Sequence, residues 1–309
     1  MSINKSPTVF VCGATGSQGG ALVSHLRGLN WAVHATVRNL VSPAARALEA
    51  AGVQLTQGDW DDHLAIKSSV TGCDKAFICL LPDFNDLDRE RRQTEAIVNI
   101  AKAAGVTQVV TSTSVGVFTL EDPSQDIAPG SIIAQHLAGK KGVEEAVRHG
   151  DFDHWTFLRP TFFMANFLEP KVARYSEPRD KGTWTTALLP DTKLALLDHA
   201  DVAAFAAVAF ENPGRFHDRA IGIASEYLTV QQTLDTLGQA AGRSFKAVYM
   251  TEEEISEKSK TSNVFANSQV SMRYMRKYLN MDEIKSVIRP TGFKDFLERE
   301  EESVRKTYP

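Results

Sequence analysis

A chain of 309 residues with 34 lysines and arginines against 38 aspartates and glutamates has a formal net charge of −4, which argues against a protein that binds nucleic acid directly. The hydrophobic content of 43% is ordinary for a globular protein with a sizeable core. The longest apolar run, 202–210, is too short to cross a bilayer, and the N-terminal residues lack the apolar core of a signal peptide. The cysteines show no metal-ligand spacing. We therefore expect a cytoplasmic globular protein with no metal site and no membrane segment.

The most informative stretch lies near the start of the chain, where a short apolar run is followed at once by closely spaced glycines. Residues 9–12 (VFVC) are typical of a buried parallel strand, and a helix-compatible segment begins at residue 21. Glycines at such a strand-to-helix turn let the backbone approach a pyrophosphate, and the helix N-terminus supplies free N–H groups and the positive end of a dipole. The stretch predicts a dinucleotide site that uses the loop residues Gly13, Thr15, Gly16, Ser17, Gln18 and Gly19.

Strand-like and helix-like segments then alternate as far as residue 150. Predicted strands lie at 32–37, 53–56, 75–81, 108–111 and 154–158. Predicted helices lie at 43–51, about 62–70 and 86–104, and glycines end the first and the last of them. This alternation predicts right-handed βαβ units and an α/β fold with a doubly wound parallel sheet.

Two parts of the chain depart from the alternation. Residues 116–130 read as a loop after the fifth strand, where a loop of an open α/β sheet borders the ligand. Beyond residue 168, prolines and a glycine break the chain into short pieces. Strand-like segments at 193–197 and 219–224 and helix-like segments at 202–210 and 230–242 follow them, and the acidic run 298–302 is expected to be a solvated helix face. We expect a dinucleotide-binding domain at 1–160 and, at 161–309, a smaller α+β lobe for substrate or partner, partly interleaved with the sheet.

The end of the second predicted strand indicates which dinucleotide is bound. A site selective for NAD places Asp or Glu there to hold the ribose 2′-hydroxyl, whereas an NADP site offers arginine to the 2′-phosphate. This chain has Arg38 and no carboxylate in the sequence ATVRN at 35–39, which favours NADP(H). After the third strand, Asp59 either accepts a hydrogen bond from the adenine amino group or forms a turn. Leu80 and Leu81 are expected to pack on the adenine or to bind the pyrophosphate through their backbone.

Several motifs in order resemble the NmrA-like family, a branch of the atypical short-chain dehydrogenases, and in particular its NADP(H)-sensing members. They are VFVCGATGSQGG from residue 9, VRN at 37–39, QGDWDD at 57–62, HLAGKKGVEEAVR at 136–148, LRPTFFMANF at 158–167, DHADVAAFAAVAF at 198–210 and IGIASEYLT at 221–229. The resemblance implies a Rossmann fold, NADP(H) held by Gly13, Gly16, Gly19 and Arg38, and a C-terminal lobe over the nicotinamide. It leaves the activity open, because the family includes reductases and also members that bind NADP(H) and regulate partners.

One feature of typical short-chain dehydrogenases is missing. These enzymes pair a tyrosine with a lysine four residues later, and no tyrosine of this chain has that lysine. His136 and Lys140 have the same spacing, which on a helix brings them onto one face. In the family's pattern this lysine contacts the nicotinamide ribose. His136 stands in the tyrosine's place and can donate a proton as an imidazole that titrates near neutral pH; a packing role for His136, and Lys141 in place of Lys140, are the alternatives.

Two further pairs of residues are candidates for the substrate side. Ser112 or Ser114, after the fifth strand, can bond to a substrate oxygen, unless these hydroxyls only serve the backbone at the strand end. Phe162 and Phe163 are expected to wall the nicotinamide, with Phe163 also touching the cofactor, unless they are core aromatics.

These residues support two hypotheses. The first is an NADPH-dependent reductase that transfers a hydride to a C=O, C=C or C=N bond of a small conjugated or aromatic metabolite, with Lys140 on the ribose and His136, a serine or water as the proton donor. The second is a non-catalytic sensor of the NADPH/NADP+ ratio that regulates a protein partner. In both cases we expect a monomer or a homodimer.

Overall fold

The computed structural model of the chain describes residues 6–125, 127, 130–260 and 264–309. The strands are β1 Thr8–Val11, β2 Ala32–Val37, β3 Gln54–Gln57, β4 Lys75–Ile78, β5 Gln108–Ser112, β6 His154–Pro160, β7 Phe162–Phe163, β8 Thr183–Thr186, β9 Leu194–Leu197, β10 Arg219–Ile223, β11 Glu226–Leu228 and β12 Lys246–Tyr249. The helices are α1 Ser17–Gly28, α2 Pro43–Ala50, α3 His63–Val70, α4 Arg89–Ala103, α5 Val117–Glu121, α6 Ile132–Arg148, α7 Glu177–Lys181, α8 His199–Glu211, α9 Pro213–Phe216, α10 Val230–Ala241, α11 Glu252–Lys260, α12 Val264–Met272, α13 Met281–Val287, α14 Phe293–Arg299 and α15 Glu301–Thr307. Short 3-10 helices span Met164–Phe167, Lys171–Tyr175 and Met275–Tyr278.

The chain forms two compact units, the first of which comprises Met1–Val117, Gln135–Arg159 and Val202–Ile221. In the part of the chain that the structure describes, its sheet has seven strands in the order β10-β6-β5-β4-β1-β2-β3. The pairs β1–β2, β2–β3, β1–β4, β4–β5 and β5–β6 are parallel. The strand order reverses at β1, between β2 and β4, and this confirms the predicted doubly wound Rossmann sheet.

The core of the first unit explains why its central strands read as continuous apolar runs. Every residue of β1 and of β5 is buried, as is typical of parallel strands that are covered by helices on both faces. Phe10, Ile78 and Val109 from the sheet pack in one cluster with Ile97 and Val147 from the helices. Ile97 of α4 and Val147 of α6 therefore lie on the sides of these helices that face the sheet.

The second unit comprises Phe118–Ala134, Pro160–Asp201 and Gly222–Pro309. Among its described residues, β7 lies parallel to β9 and β11 antiparallel to it, while β8 and β12 form a separate parallel pair. An aromatic core that includes Phe162, Phe167, Trp184 and Phe293 joins these strands to α10, α14 and α15. The unit has the predicted α+β character.

Three differences between the structure and the sequence predictions concern the predicted loop 116–130, the fourth strand and the acidic run 298–302. The predicted loop 116–130 contains α5, in which Val117 and Thr119 are buried; Asp126, Ala128 and Pro129, from the same stretch, lie outside the described residues. The fourth strand ends at Ile78 rather than at residue 81. The acidic run 298–302 is solvated as predicted but belongs to two helices, because Glu300 leaves the helical conformation (φ −96°, ψ 24°) and separates α14 from α15.

None of the helices among the described residues has both the length and the apolar character needed to cross a membrane.

A buried ion pair joins α6 to β6 in the first unit. The guanidinium of Arg159 donates to Glu144 through Nε (2.9 Å) and Nη2 (2.6 Å), and the hydroxyl of Thr113 donates to Glu144 Oε1 at 2.6 Å. Only 1% of either charged side chain is exposed. Such a two-point contact satisfies the carboxylate and holds the helix in register with the strand.

We predict that replacing Arg159 with methionine lowers the free energy of unfolding by about 3–5 kcal/mol, because the Glu144 carboxylate then stays buried without its counter-charge. Urea unfolding followed by circular dichroism measures the change. Arg91→Met is the matched control: its partners Asp88 and Glu95 are exposed, and we expect a loss below about 1 kcal/mol there. Equal losses in the two variants would contradict the role of the buried pair.

Candidate functional site

The glycine loop between β1 and α1 has a backbone that only glycine permits. Gly13 has a φ of +68° and the N–H of Gly16 donates to its carbonyl oxygen at 2.8 Å. A Cβ at Gly19 would lie 2.3 Å from Gly13 O, and one at Gly13 would lie 3.0 Å from the carbonyl oxygen of Cys79. The loop is therefore folded tightly against the ends of β1 and β4, and its geometry fits the close approach of a pyrophosphate.

The N-terminus of α1 lies directly behind this loop. Gly16 is the N-cap and supplies no side-chain acceptor, and the first turn of the helix carries no acidic residue. The first N–H groups of a helix have no partner within it, and the helix dipole adds partial positive charge at this end. Thr15 and Gly16 are exposed, whereas Ser17 and Gln18 are half-buried. This end of α1 can bind an anion.

Residues at the ends of β2 and β3 extend the site. Arg38 is exposed, and its guanidinium has no partner among the described residues, so it is free to bind a phosphate. The carboxylate of Asp59 accepts hydrogen bonds from the N–H groups of Asp61 (2.9 Å) and Asp62 (3.1 Å). This is the turn-forming role that was one of its two predicted alternatives, and contact with adenine stays a prediction.

The end of β4 contributes two leucines in different environments. Leu80 is buried, whereas 84% of the surface of Leu81 is exposed. A leucine so exposed beside the glycine loop offers an apolar surface on which a planar base can pack. Contact of either leucine with a cofactor stays a prediction.

The two candidate serines after β5 have different partners. The hydroxyl of Ser112 donates to Gln18 Oε1 at 2.6 Å, which ties β5 to the glycine loop. The hydroxyl of Ser114 accepts the N–H of Gly116 at 3.2 Å and so serves the backbone. Binding of a substrate oxygen by Ser114 stays a prediction.

Lys140 lies in α6 and is held at the end of β4. Its Nζ donates to Glu90 Oε1 at 2.5 Å and to the carbonyl oxygen of Leu80 at 3.3 Å. The side chains of Lys140 and Glu90 are 8% and 3% exposed. An ammonium group has three donors, so among the described contacts one N–H of Lys140 is still available to a ligand. This arrangement fits a ribose hydroxyl at the end of β4.

Glu90 is the residue that the sequence prediction missed. It lies in a strongly charged stretch, 86–92, where an acidic residue is ordinarily taken to be solvated. Its spacing does carry a signal, because Thr94, Ile97 and Ala101 follow it at helical intervals and are all buried. An acidic residue on the buried face of an amphipathic helix requires a partner, and that partner is Lys140.

His136 lies one turn before Lys140, where it stacks on Phe84 with 5.9 Å between ring centroids. Burial and the nearby charge of Lys140 lower the pKa of His136 to about 4. At pH 7 the ring is therefore predominantly neutral. Its Nδ1 is buried and finds no partner within the described part of the chain. His136 is thus a neutral hydrogen-bonding group, and its role as a proton donor stays a prediction.

The predicted aromatic wall belongs to the second unit. Phe162 is buried in the core of that unit, with ring contacts to Phe167, Tyr175 and Trp184. Phe163 is half-buried, and Lys171 Nζ lies 5.8 Å from its ring centroid. Packing within the second unit accounts for Phe162, and the substrate roles of both residues stay predictions.

We predict that Gly19→Ala lowers the free energy of unfolding by about 3 kcal/mol or more, because the added Cβ meets backbone atoms that cannot move aside. The control is Gly28→Ala at the other end of α1, where an added Cβ meets nothing within 4 Å. We expect that change to raise stability by up to about 1 kcal/mol. Thermal and urea unfolding distinguish the two, and a harmless Gly19→Ala would show that the loop is not closely packed.

The chain is similar to known proteins over most of its length. It is 29% identical over 249 residues, 80% of this chain and 78% of the relative, to an NAD(P)H azoreductase of Xenophilus azovorans. Two solved structures share its fold at 20% identity. One is an NADPH-dependent quinone oxidoreductase of Escherichia coli complexed with NADPH (TM-score 0.73, 94% of this chain and 99% of that chain). The other is NmrA, a negative transcriptional regulator, in complex with NADP (TM-score 0.69, covering 99% of this chain and 96% of that chain).

The model of the NmrA-like family matches residues 5–295. That range contains every residue of the glycine loop and both members of the Glu90–Lys140 pair. The chain therefore belongs to the NmrA-like family.

Proposed function

We propose that this protein is an NADPH-dependent reductase that transfers a hydride to a C=O, C=C or C=N bond of a small conjugated or aromatic metabolite. The observation that carries the proposal is Lys140, buried at the end of β4 with one N–H still available, in the same unit as the glycine loop. An azoreductase and a quinone oxidoreductase among its relatives support a reductive reaction on conjugated compounds.

The cofactor would be held by residues of the first unit. The N–H groups of the glycine loop and of α1 would hold the pyrophosphate, Arg38 would bind the 2′-phosphate, and Asp59 and Leu81 would contact the adenine. Lys140 donates its remaining N–H to a hydroxyl of the nicotinamide ribose and so fixes the ring. Bound NADPH supplies the hydride.

The proton that completes the reduction would come from a hydroxyl group or from water. His136 is a neutral imidazole rather than an imidazolium at neutral pH, because its pKa is about 4. Its neutral ring can still donate a hydrogen bond that polarises a substrate oxygen or nitrogen. Phe163 stays the predicted substrate contact. A cytoplasmic location and a monomeric or homodimeric state, without direct nucleic-acid or membrane binding, are part of this proposal.

Arg38→Ala is expected to weaken NADPH binding by about 10- to 100-fold, because a charge-assisted contact to the 2′-phosphate is worth roughly 1.5–3 kcal/mol. NADH lacks this phosphate, so its affinity should stay within about twofold of the wild type. Calorimetry with both nucleotides measures the effect. Lys67→Ala, at an exposed lysine of α3, is the control and should leave both affinities unchanged. Equal loss for NADPH and NADH would contradict the role of Arg38.

Turnover is tested with a panel of quinones, azo dyes, enones, aldehydes and imines, followed by the loss of NADPH absorbance. We expect at least one class to be reduced, and Lys140→Met to lower kcat about a hundredfold, because a misplaced ribose misaligns the ring. Lys141→Met is the matched control and should keep kcat near the wild-type value. Circular dichroism verifies that each variant is folded.

A sensor of the NADPH/NADP+ ratio is the second candidate, favoured by the missing Tyr-x-x-x-Lys pair and by the neutral His136. A sensor requires a large difference in affinity between the two forms, because a ligand shifts an equilibrium only by its differential affinity for two states. Failure to reduce any member of the panel, together with at least about tenfold tighter binding of one redox form, would replace the reductase by the sensor.

A further inference from the structure

The two buried ion pairs of α6 differ in how fully they are satisfied. Glu144 is bound at both oxygens by Arg159 and accepts a further hydrogen bond from Thr113. Glu90 instead makes one contact with Lys140, at 2.5 Å, and that ammonium group keeps one donor. Buried ion pairs seldom stabilise a fold more than apolar residues of the same volume. The Glu90–Lys140 pair therefore calls for an explanation other than stability.

The position of the Glu90–Lys140 pair is fixed by hydrogen bonds of Lys140 and by the close approach of α6 to the segment before α4. Lys140 Nζ binds the carbonyl oxygen of Leu80 at the end of β4 and the carboxylate of Glu90 at the start of α4. Beside it, a Cβ at Gly139 would lie 2.8 Å from the carbonyl oxygen of Leu87, so α6 approaches this segment as closely as glycine allows. The carbonyl oxygen of Cys79, just before Leu80, lies against Gly13 of the glycine loop. Two opposite charges are thus held at the end of β4, next to the glycine loop.

The two redox forms of the cofactor differ by a positive charge on the nicotinamide ring. A lone lysine beside that ring would repel NADP+ and not NADPH, and a lone glutamate would attract NADP+. At an effective dielectric constant of about 20, one charge within roughly 10 Å of the ring changes an affinity about tenfold or more. A compensated pair removes most of this discrimination.

We infer that Glu90 is a positioning residue that balances the charge of Lys140 beside the nicotinamide and thereby sets the relative affinities for NADP+ and NADPH. The inference rests on the proposed function for the place of the cofactor. It assigns to Glu90 a role that neither the glycine loop nor Arg38 can fulfil, because both act on phosphates that the two redox forms share.

The test measures the ratio Kd(NADP+)/Kd(NADPH) by calorimetry at neutral pH. Glu90→Gln is expected to raise the ratio about tenfold and Lys140→Met to lower it about tenfold, because each leaves one charge uncompensated. The double variant, Glu90→Gln with Lys140→Met, has neither charge and should return to within about threefold of the wild-type ratio. A merely structural role for Glu90 would weaken both forms alike and leave the ratio unchanged.

A buried lysine without its partner can lose its proton, whereas arginine stays charged. Glu90→Gln is therefore repeated in a Lys140→Arg background, and a ratio within twofold of Lys140→Arg alone would overturn the inference. Glu144→Gln, which removes the carboxylate of the other buried ion pair that involves α6, is the control and should leave the ratio unchanged. If wild-type protein binds neither nucleotide, the proposed function fails; if both bind and the ratio does not respond, only the role of Glu90 fails.

Discussion

The parallel pairing of β1 with β4 is the constraint on which the rest of the first unit depends. It aligns Val9–Val11 with Lys75–Phe77, so the chain leaves both strands at the same edge of the sheet. Gly13 then turns directly against the carbonyl oxygen of Cys79, with a φ of +68° that other residues rarely adopt. The next carbonyl group, that of Leu80, is the acceptor for Lys140. One strand pairing thus brings together the loop that fits a pyrophosphate and the lysine that fits a ribose.

The buried polar contacts of the first unit differ in the number of hydrogen bonds that they contain. Arg159 and Glu144 meet through two hydrogen bonds with a threonine hydroxyl added, which is the arrangement expected where a helix must be fixed to a strand. One hydrogen bond joins Lys140 to Glu90, and one hydrogen bond joins Ser112 to Gln18. The less saturated contacts both lie at the carboxyl ends of β4 and β5, where ligands bind in open α/β sheets.

The sequence predicted the features whose causes are local. The run VFVC followed by glycines specifies a buried strand and a tight turn within a dozen residues, and it was found as expected. The side-chain contacts that complete the site could not be predicted in this way. Glu90 and Lys140 are 50 positions apart, and Gln18 and Ser112 are 94 apart, so only the strand order and the helix packing bring them together. Helix α5 was missed because its five residues are too few to show a helical period.

The charges near Lys140 also bear on the choice between the two functions. A reductase must bind NADPH and release NADP+ in every cycle, so a site that responds weakly to the charge of the ring suits turnover. A sensor needs the opposite, because its signal is the difference in affinity between the two forms. A lysine without a counter-charge at the end of β4 would supply that difference in affinity. In this chain the carboxylate of Glu90 lies 2.5 Å from the ammonium group of Lys140 and balances its charge. The compensated pair, buried where no solvent ions can screen it, therefore favours the reductase over the sensor on electrostatic grounds that are independent of the missing tyrosine.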